Sequence, residues 1–291
     1  MRFTKMHGLG NDYVYIDGWR EPLPQDLPAL ARAISDRHRG VGGDGLILVL
    51  PPEEAGHHAR MRMFNADGSE SGMCGNGLRC AARLAWEHGH VPAAGIRFET
   101  GAGLRTVDLH VDAAGACTGA TVDMGHPILE PERIPVLVDP DLAPFIRLQP
   151  PGSAPLHLRP VGMGNPHAVH VCADVAAWDL PRIGPLLERD PVFPERAIIE
   201  FVQRLPDEDG LPVLRQRTWE RGSGETQACG TGACAVCVVA ILDGHIPGRE
   251  AIVRLDGGDL RIAWPQDGAP VHMSGPAELV FTGTWNRATD G

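Results

Sequence analysis

The sequence contains almost no lysine: Lys5 is the only one among 26 lysine and arginine residues. A pyridoxal phosphate enzyme holds its cofactor as a Schiff base on a lysine, so the composition speaks against that class. The chain also has no G-x-S-x-G phrase and, despite 13 histidines, no H-E-x-x-H phrase. These absences exclude the usual signatures of α/β-hydrolases and zinc proteases. We therefore expect no cofactor and no metal.

Long apolar runs and clustered positive charge are missing as well. No segment approaches the ~20 apolar residues of a membrane span, and the N-terminus lacks the pattern of a secretory signal. The net charge of −11 and the scattered arginines argue against a nucleic-acid partner. Seven cysteines, an odd number, favour free thiols in a reducing compartment. We expect a cytoplasmic protein with no membrane partner; the sequence leaves its oligomeric state open, a homodimer included.

The sequence repeats itself at a distance of about half the chain. When residues 60–92 are laid over residues 215–247 without a gap, ten of the 33 positions are identical. Both copies contain a Cys-Gly-x-Gly phrase, at Cys74 and Cys229, and a later Gly-His-x-Pro phrase. A chain of 291 residues can fill two cores. The repeat predicts two homologous domains related by an approximate two-fold axis, residues 1–122 plus 276–291 and residues 123–275.

Local patterns predict the same elements in both copies. R-M-R-M-F and R-Q-R-T-W, which begin the two copies, alternate as half-exposed strands do. The apolar runs after Cys74 and Cys229 are long enough for helices that end at Gly89 and Gly244. The second run is rich in β-branched residues, but its pairing with the first favours a helix. We predict an α+β fold in which each of two pseudo-symmetric domains wraps mostly antiparallel strands around a central helix, with residues 277–285 returning to the first domain as a strand.

The two paired cysteines are the candidate catalytic residues. At the start of a helix, unpaired N–H groups and the positive end of the dipole lower the pKa of a thiol and bind anions. A two-fold axis would bring Cys74 and Cys229 to opposite sides of one interdomain cleft. One thiolate could then remove a proton from a carbon while the opposite thiol delivers one. Backbone N–H groups near Gly75 and Gly230 would stabilise the carbanion charge that spreads into a carboxylate.

The other motifs are interpreted as structural. The remaining cysteines are expected to be core residues, because cysteine is among the residues most often buried. This includes the C-x-x-C of the second helix, which favours packing over a redox or zinc site. The GVGGDG phrase at 40–45 precedes an apolar strand, the wrong order for a dinucleotide loop, and is predicted to be a turn. The cysteines read as core are Cys80, Cys117, Cys172, Cys234 and Cys237.

Five phrases, taken together, resemble the diaminopimelate epimerase family. They occur in order along the chain, whereas proline racemases and phenazine-biosynthesis isomerases resemble the fold without carrying this set. The resemblance implies pseudo-symmetric domains that close over an amino-acid substrate. It also implies cofactor-independent conversion of LL- to meso-diaminopimelate for lysine and peptidoglycan precursor synthesis. The phrases are KMHGLGNDYV (5–14), FNADGSESGMCGNGLRC (64–80), VGMGNPH (161–167), FPER (193–196) and ERGSGETQACGTGAC (220–234).

The resemblance also implies roles for individual residues. It assigns the two bases to Cys74 and Cys229, and it matches His167 and Glu220 to positions that tune these thiols. An arginine can pair with a carboxylate through two hydrogen bonds, and a glutamate can pair with an ammonium group. The positions matched to substrate binding are Asn11, Asn65, Gly75, Asn76, Asn165, Glu220, Arg221, Gly230 and Thr231.

The chain departs from the family pattern at two positions. Ile198 stands where an asparagine usually contacts the substrate, and isoleucine cannot make that hydrogen bond. Gly45 stands where some members have glutamine. The first departure keeps open a racemase or epimerase of another amino acid. A non-catalytic, metal-binding protein that uses its cysteine clusters is the alternative from a different class.

Overall fold

The computed structural model describes residues 1–286, and the last five residues of the predicted first domain, 287–291, lie outside that range. The chain divides into two compact units. Unit 1 contains Met1–Asp123 and the segment from Ser274 onward, and unit 2 contains Met124–Met273. The sequence prediction instead divides the chain after residues 122 and 275.

The structure has 18 strands and four α-helices within the described residues. The strands are β1 (Arg2–Gly8), β2 (Asn11–Asp17), β3 (Gly45–Leu50), β4 (Ala59–Asn65), β5 (Glu70–Ser71), β6 (Ile96–Thr100), β7 (Gly103–Val111), β8 (Cys117–Asp123), β9 (Ile146–Leu148), β10 (Leu156–Gly162), β11 (Pro166–Val171), β12 (Ile198–Glu208), β13 (Leu211–Glu220), β14 (Gly224–Thr226), β15 (Glu250–Leu255), β16 (Gly258–Ala263), β17 (His272–Gly275) and β18 (Glu278–Thr284). The helices are α1 (Leu27–Ser35), α2 (Gly75–Glu87), α3 (Leu180–Glu188) and α4 (Gly230–Leu242).

Strand pairing repeats between the units. In unit 1, β1 pairs antiparallel with β2, β2 parallel with β3, β3 antiparallel with β4, and β4 parallel with β6. In unit 2, β10, β11, β12, β13 and β15 pair in the same sequence of directions. The repeat seen in the sequence is therefore a repeat of topology.

The C-terminal strand belongs to unit 1. β18 pairs antiparallel with β1, from Arg2 opposite Thr284 to His7 opposite Glu278. β1 thus lies between β2 and β18 and has no free edge along that register. The prediction that the segment 277–285 returns to the first domain as a strand is confirmed.

Both predicted central helices are present. α2 and α4 begin one residue after Cys74 and Cys229, and Gly89 and Gly244 follow them with φ values of 78° and 70°. Glycine tolerates this left-handed conformation, which ends a helix. α4 is helical although Val236, Val238, Val239 and Ile241 favour strands, because burial among the strands of unit 2 outweighs a weak local propensity.

Two further helices were not predicted. α1 and α3 each follow an aspartate and carry proline at the second helical position, where the missing N–H costs no hydrogen bond. α1 packs its apolar face into the core of unit 1 together with β2 and β3. α3 packs in the same way into the core of unit 2. Within residues 1–286, no helix is long and apolar enough to cross a membrane.

Candidate active site

Cys74 caps the first central helix of unit 1. Its backbone is extended, with φ −132° and ψ 120°, and its Sγ accepts the N–H of Gly77 at 3.4 Å. The thiol donates to Oδ1 of Asn11 at 3.2 Å. A side chain at position 77 would place its Cβ 2.5 Å from Cδ1 of Ile47, so any larger residue there would force Ile47 to shift. The predicted position of the thiol at a helix start is confirmed.

A carboxylate that the sequence did not single out orients Asn11. The side-chain amide of Asn11 donates to Oδ2 of Asp44 at 2.8 Å, and the same oxygen accepts the N–H of Asp12 at 3.0 Å. Arg37 pairs with Asp44 at 2.9 Å and with Asp12 at 2.7 Å. Because the Asn11 amide nitrogen is held by Asp44, its carbonyl oxygen faces the thiol of Cys74. Asp44 lies in the GVGGDG phrase, which bends the chain between α1 and β3.

The tyrosine beside Cys74 stays neutral. Tyr13 is 5% exposed. Burial, and then the negative charge that Cys74 carries as a thiolate, raise the pKa of the Tyr13 hydroxyl far above its usual value. Tyr13 therefore offers Cys74 a phenol that keeps its proton, not a second charge.

The other residues of unit 1 that are predicted to bind the substrate differ in burial and hydrogen bonding. Asn76, in the first turn of α2, is 2% exposed, and its side-chain carbonyl oxygen has no hydrogen-bond partner among the described residues. Gly75 precedes it at the helix start. Asn65 ends β4 and donates to Oγ of Ser69 at 3.0 Å, so its amide is engaged in a local turn.

Gly45 leaves no space for the glutamine found in some family members. A Cβ at this position would lie 2.1 Å from the backbone oxygen of Phe64 and 3.0 Å from Cε1 of Tyr13. The departure at Gly45 therefore has a packing cause, the close pairing of β3 with β4.

Cys229 caps the central helix of unit 2 in the same way. Its Sγ accepts the N–H of Gly232 at 3.4 Å and lies 3.6 Å from the hydroxyl of Thr231. The residue is 5% exposed, whereas Cys74 is half-buried. Gly230 and Thr231 form the first turn, where their N–H groups have no earlier helical carbonyl to bond.

A buried polar group surrounds this second thiol. His167 lies with one ring nitrogen 2.6 Å from Oε1 of Glu200 and the other 2.7 Å from Oδ1 of Asn165. The side chains of His167 and Glu200 are both 0% exposed. A Cβ on Gly232 would lie 2.7 Å from Oε1 of Glu200 and 3.2 Å from Sγ of Cys229, so the carboxylate and the thiol share one small space.

The electrostatics of Cys229 differ from the sequence expectation. A helix N-terminus should lower the pKa of a thiol. Burial, followed by the charges of Glu220 and Glu200, instead raises the pKa of Cys229 well above its usual value. The prediction of an acidified thiol is wrong for Cys229, because loss of solvation and two carboxylates outweigh the N–H of Gly232 and the hydroxyl of Thr231.

Glu200 was missed by the sequence reasoning. Burial raises its pKa, although the charge and the hydrogen bond of His167 act in the opposite direction. Ile198, two residues before Glu200 in the chain, is 4% exposed. It lies opposite His167 where β11 and β12 pair in parallel. The sequence offered a weak signal for Glu200, a single acid inside the otherwise apolar start of β12.

Glu220 is the last residue of β13, and Arg221 follows the strand. Glu220 accepts a hydrogen bond from the hydroxyl of Thr226. Arg221 is exposed and donates to the backbone oxygen of Glu195 at 3.0 Å. His167 thus contacts Asn165, and the charge of Glu220 acts on Cys229. Arg221 instead binds a backbone carbonyl.

The remaining cysteines support the core reading in part. Cys80, Cys117, Cys234 and Cys237 are buried, and no disulfide joins any of the seven cysteines in the described part of the chain. Burial raises the pKa of Cys80 to about 11 and that of Cys237 to about 12, so both are protonated at neutral pH. Cys172 is only half-buried and packs at the edge of the unit 2 core.

Sequence comparisons decide the family. The family model described as diaminopimelate epimerase matches residues 3–130 and 160–280. The chain is 48% identical to a diaminopimelate epimerase of Desulfovibrio desulfuricans, covering 98% of each chain. It is also 48% identical to one of Geobacillus kaustophilus, covering 97% of this chain and 96% of that protein. The chain belongs to the diaminopimelate epimerase family.

Solved structures of distant relatives have the same fold. A hydroxyproline epimerase from Agrobacterium vitis aligns with a TM-score of 0.66 and 15% identity, covering 97% of this chain and 90% of that one. A phenazine biosynthesis protein of Bacillus anthracis aligns with a TM-score of 0.69 and 15% identity, covering 97% of each chain. At this identity the likeness concerns the fold alone, and it confirms the predicted α+β class of the diaminopimelate epimerase family.

Proposed function

We propose that this protein converts LL-2,6-diaminopimelate to meso-diaminopimelate without a cofactor, with Cys74 and Cys229 as the two acid/base groups. The reaction removes the proton from one α-carbon and returns a proton to the opposite face, so no other atom is exchanged. It would supply lysine and peptidoglycan precursor synthesis in the cytoplasm, where cysteines remain free thiols. Membership of the diaminopimelate epimerase family supports this substrate and reaction.

The observation that carries the proposal is the equivalent placement of the two thiols. Each caps a 13-residue helix, and each accepts the N–H of the glycine three residues later at 3.4 Å. Two such thiols on opposite faces of an α-carbon would act as base and acid in one step. The N–H groups at the two helix starts, near Gly75 and Gly230, would hold the substrate carboxylate and stabilise charge that spreads into it from the carbanion.

The carboxylates near Cys229 suggest how the substrate activates this thiol. Burial, and then the charges of Glu220 and Glu200, raise the pKa of Cys229 and keep this thiol protonated without a substrate. A substrate ammonium group placed against Glu220 would offset that negative charge and lower the pKa of Cys229. Cys229 would then become a base only when an amino acid is bound. Asn11, Asn65, Asn76, Asn165, Arg221 and Thr231 are the further side chains proposed to hold the substrate.

One observation favours a second candidate, a racemase or epimerase of another amino acid. Ile198, where the family pattern has asparagine, is 4% exposed and cannot bind a polar substrate group. A panel of amino acids should be incubated with reduced protein without cofactor, and the products separated by chiral chromatography. We expect meso-diaminopimelate from the LL isomer at a rate above that of any other panel member. Faster inversion of another amino acid would replace diaminopimelate as the substrate.

The activation step can be tested on the same protein. The alkylation rate of Cys229 should be followed against pH by mass spectrometry of the modified peptide, in the empty protein and with a non-reacting amino dicarboxylate bound. We expect the bound ligand to lower the pH at which Cys229 is alkylated, measured on the fraction of Cys229 that the reagent still reaches. An unchanged pH dependence, with ligand binding shown separately, would contradict substrate-induced activation.

A further inference from the structure

Three potential metal ligands converge in unit 1, outside the residues described so far. Nδ1 of His88 lies 2.6 Å from Oδ2 of Asp17, and Nε2 of His90 lies 2.9 Å from the same oxygen. The three ligand atoms all lie within 4.8 Å of one another. Asp17 ends β2, whereas His88 caps the C-terminus of α2, so the fold brings together residues about seventy positions apart.

Neighbouring contacts hold this cluster in a fixed geometry. The N–H of Trp19 donates to Oδ1 of Asp17 at 2.9 Å, which leaves Oδ2 facing the two histidines. The indole ring of Trp19 stacks on the ring of His90, with centroids 4.3 Å apart and planes 11° apart. Such outer contacts orient the ligands of established metal sites.

A cation at this cluster would replace the protons that Nδ1 of His88 and Nε2 of His90 share with Oδ2 of Asp17. Nε of Arg20 lies 3.5 Å from Oδ2 of Asp17 and Nη2 of Arg20 donates to the backbone oxygen of His88 at 2.8 Å, so a cation would have to displace this 44% exposed side chain from the carboxylate.

We propose that Asp17, His88 and His90 form a binding site for a divalent transition metal of the zinc class. Two imidazoles and one carboxylate are a ligand set that zinc accepts. Tetrahedral bonds of about 2.0–2.1 Å separate neighbouring ligand atoms by about 3.3 Å, so the cluster needs only small outward shifts to admit the ion. A pocket of about 300 Å³, lined in part by Asp17, His88 and Arg20, leaves room for water at the fourth position.

The site would join the two elements that position Cys74. β2 begins at Asn11, whose Oδ1 accepts a hydrogen bond from the thiol of Cys74, and it ends at Asp17. α2 begins next to Cys74 and ends next to His88. A bound metal would therefore fix both elements at the ends remote from the thiol. This role does not depend on the substrate proposed above.

Unit 2 provides a matched control. His245 is the counterpart of His90 in the repeat, and Asp243 is the counterpart of His88. Asp243 pairs with Arg159, and β11 ends at Val171 where β2 ends at Asp17. The second copy thus has an exposed histidine in the same phrase without the converging ligands.

The test titrates tag-free, chelator-treated protein with Co²⁺ after the accessible thiols have been alkylated. We expect one Co²⁺ per chain with the weak visible bands of nitrogen and oxygen ligands and no thiolate charge-transfer band. Bound Co²⁺ should quench the fluorescence of Trp19, measured as the difference between wild type and Trp19→Phe. Zn²⁺ should displace the Co²⁺.

Three variants decide the site. His88→Gln and His90→Gln should each weaken Co²⁺ binding by more than about tenfold, and His245→Gln should leave it unchanged. His88→Gln is the main test, because Asp17→Asn removes a carboxylate with four partners and can unfold the unit. Unweakened binding in both histidine variants, or no Co²⁺ binding up to millimolar concentration in folded protein, would overturn the proposal. Binding that disappears on alkylation would also overturn it, by assigning the metal to the thiols.

Discussion

Cys74 and Cys229 occupy equivalent places in the repeat but have different surroundings. Cys74 is half-buried and faces a neutral amide, that of Asn11, which Asp44 holds in position. Cys229 is 5% exposed and lies near two carboxylates, which raise its pKa together with burial. The duplication preserved the helix cap and the N–H donors, while the side chains around each thiol diverged.

The surroundings of Cys229 favour its protonated form, because burial and then the charges of Glu220 and Glu200 raise its pKa. A reaction that moves a proton across one carbon needs a base on one face and an acid on the other. The same three effects keep Cys229 protonated, the state that the proposed acid requires. Under the two-thiol proposal, the carboxylates of unit 2 would make Cys229 the acid of the pair until a substrate ammonium group offsets their charge.

Removal of either thiol should break the comparison most severely. We expect Cys74→Ala and Cys229→Ala each to lower the rate of epimerisation by about 100- to 10,000-fold, the range found for acid/base groups. The measurement is the initial rate of meso-diaminopimelate formation. Cys234→Ala, which changes a buried cysteine of α4, is the matched control and should keep most activity. Comparable activity in all three variants would show that the paired thiols have no special role.

Ile198→Asn tests whether the buried apolar side chain opposite His167 has a structural role. Burying an amide without a partner at this 4% exposed position should lower the free energy of unfolding by about 1–3 kcal/mol. Urea denaturation measures the loss, and Ile198→Val controls for the change in volume. A variant as stable as wild type, with improved turnover of diaminopimelate, would show that the position faces the substrate.

Asp44→Asn should sharpen the account of the Cys74 side. The variant loses the charged acceptor of the Asn11 amide, so the carbonyl of Asn11 no longer has one fixed orientation toward the thiol. We expect kcat/KM to fall by about tenfold, with the pH dependence of Cys229 alkylation unchanged. Asp36→Asn, in the turn after α1 and bonded to the amides of His38 and Arg39, is the control. Equal effects of both changes would indicate a general disturbance of the loop.

Glu200→Gln should make Cys229 more acidic. The carboxylate of Glu200, after burial and the charge of Glu220, raises the pKa of Cys229, so a neutral amide at position 200 should shift the alkylation of Cys229 to lower pH. The profile of Cys74 in the same sample is the internal control.

The pKa of Glu200 is itself raised by burial, so its contribution to stability is present at low pH and is lost as the pH rises through the folded-state pKa. The melting temperature of Glu200→Gln minus that of wild type should therefore be more positive at alkaline pH than at pH 4.

The elements around the thiols could be predicted from the sequence because they are local. Gly89 and Gly244 mark helix ends, and the aligned Cys-Gly-x-Gly phrases mark helix starts. The repeat also corrected a misleading propensity, since the valines of α4 alone favour a strand. The prolines near the starts of α1 and α3 concealed those helices in a proline-rich chain.

The partners of the thiols could not be predicted from the sequence, because they depend on strand register and burial. Asp44 reaches Asn11 across 33 positions, and Glu200 reaches His167 across the same separation. The raised pKa of Cys229 depends on how deeply the helix cap is buried, which a motif does not report. The helix-dipole rule was correct about the N–H donors and wrong about the outcome for Cys229.

The most direct test of the two-thiol proposal is epimerisation in deuterated water. Reduced protein without cofactor should be incubated with LL-diaminopimelate, and the product examined by chiral separation and mass spectrometry. We predict meso-diaminopimelate with one deuterium at the inverted α-carbon, because the thiol that protonates this carbon has exchanged with solvent. Meso product that retains the original hydrogen at that carbon, or no product from folded and reduced protein, would contradict the proposal.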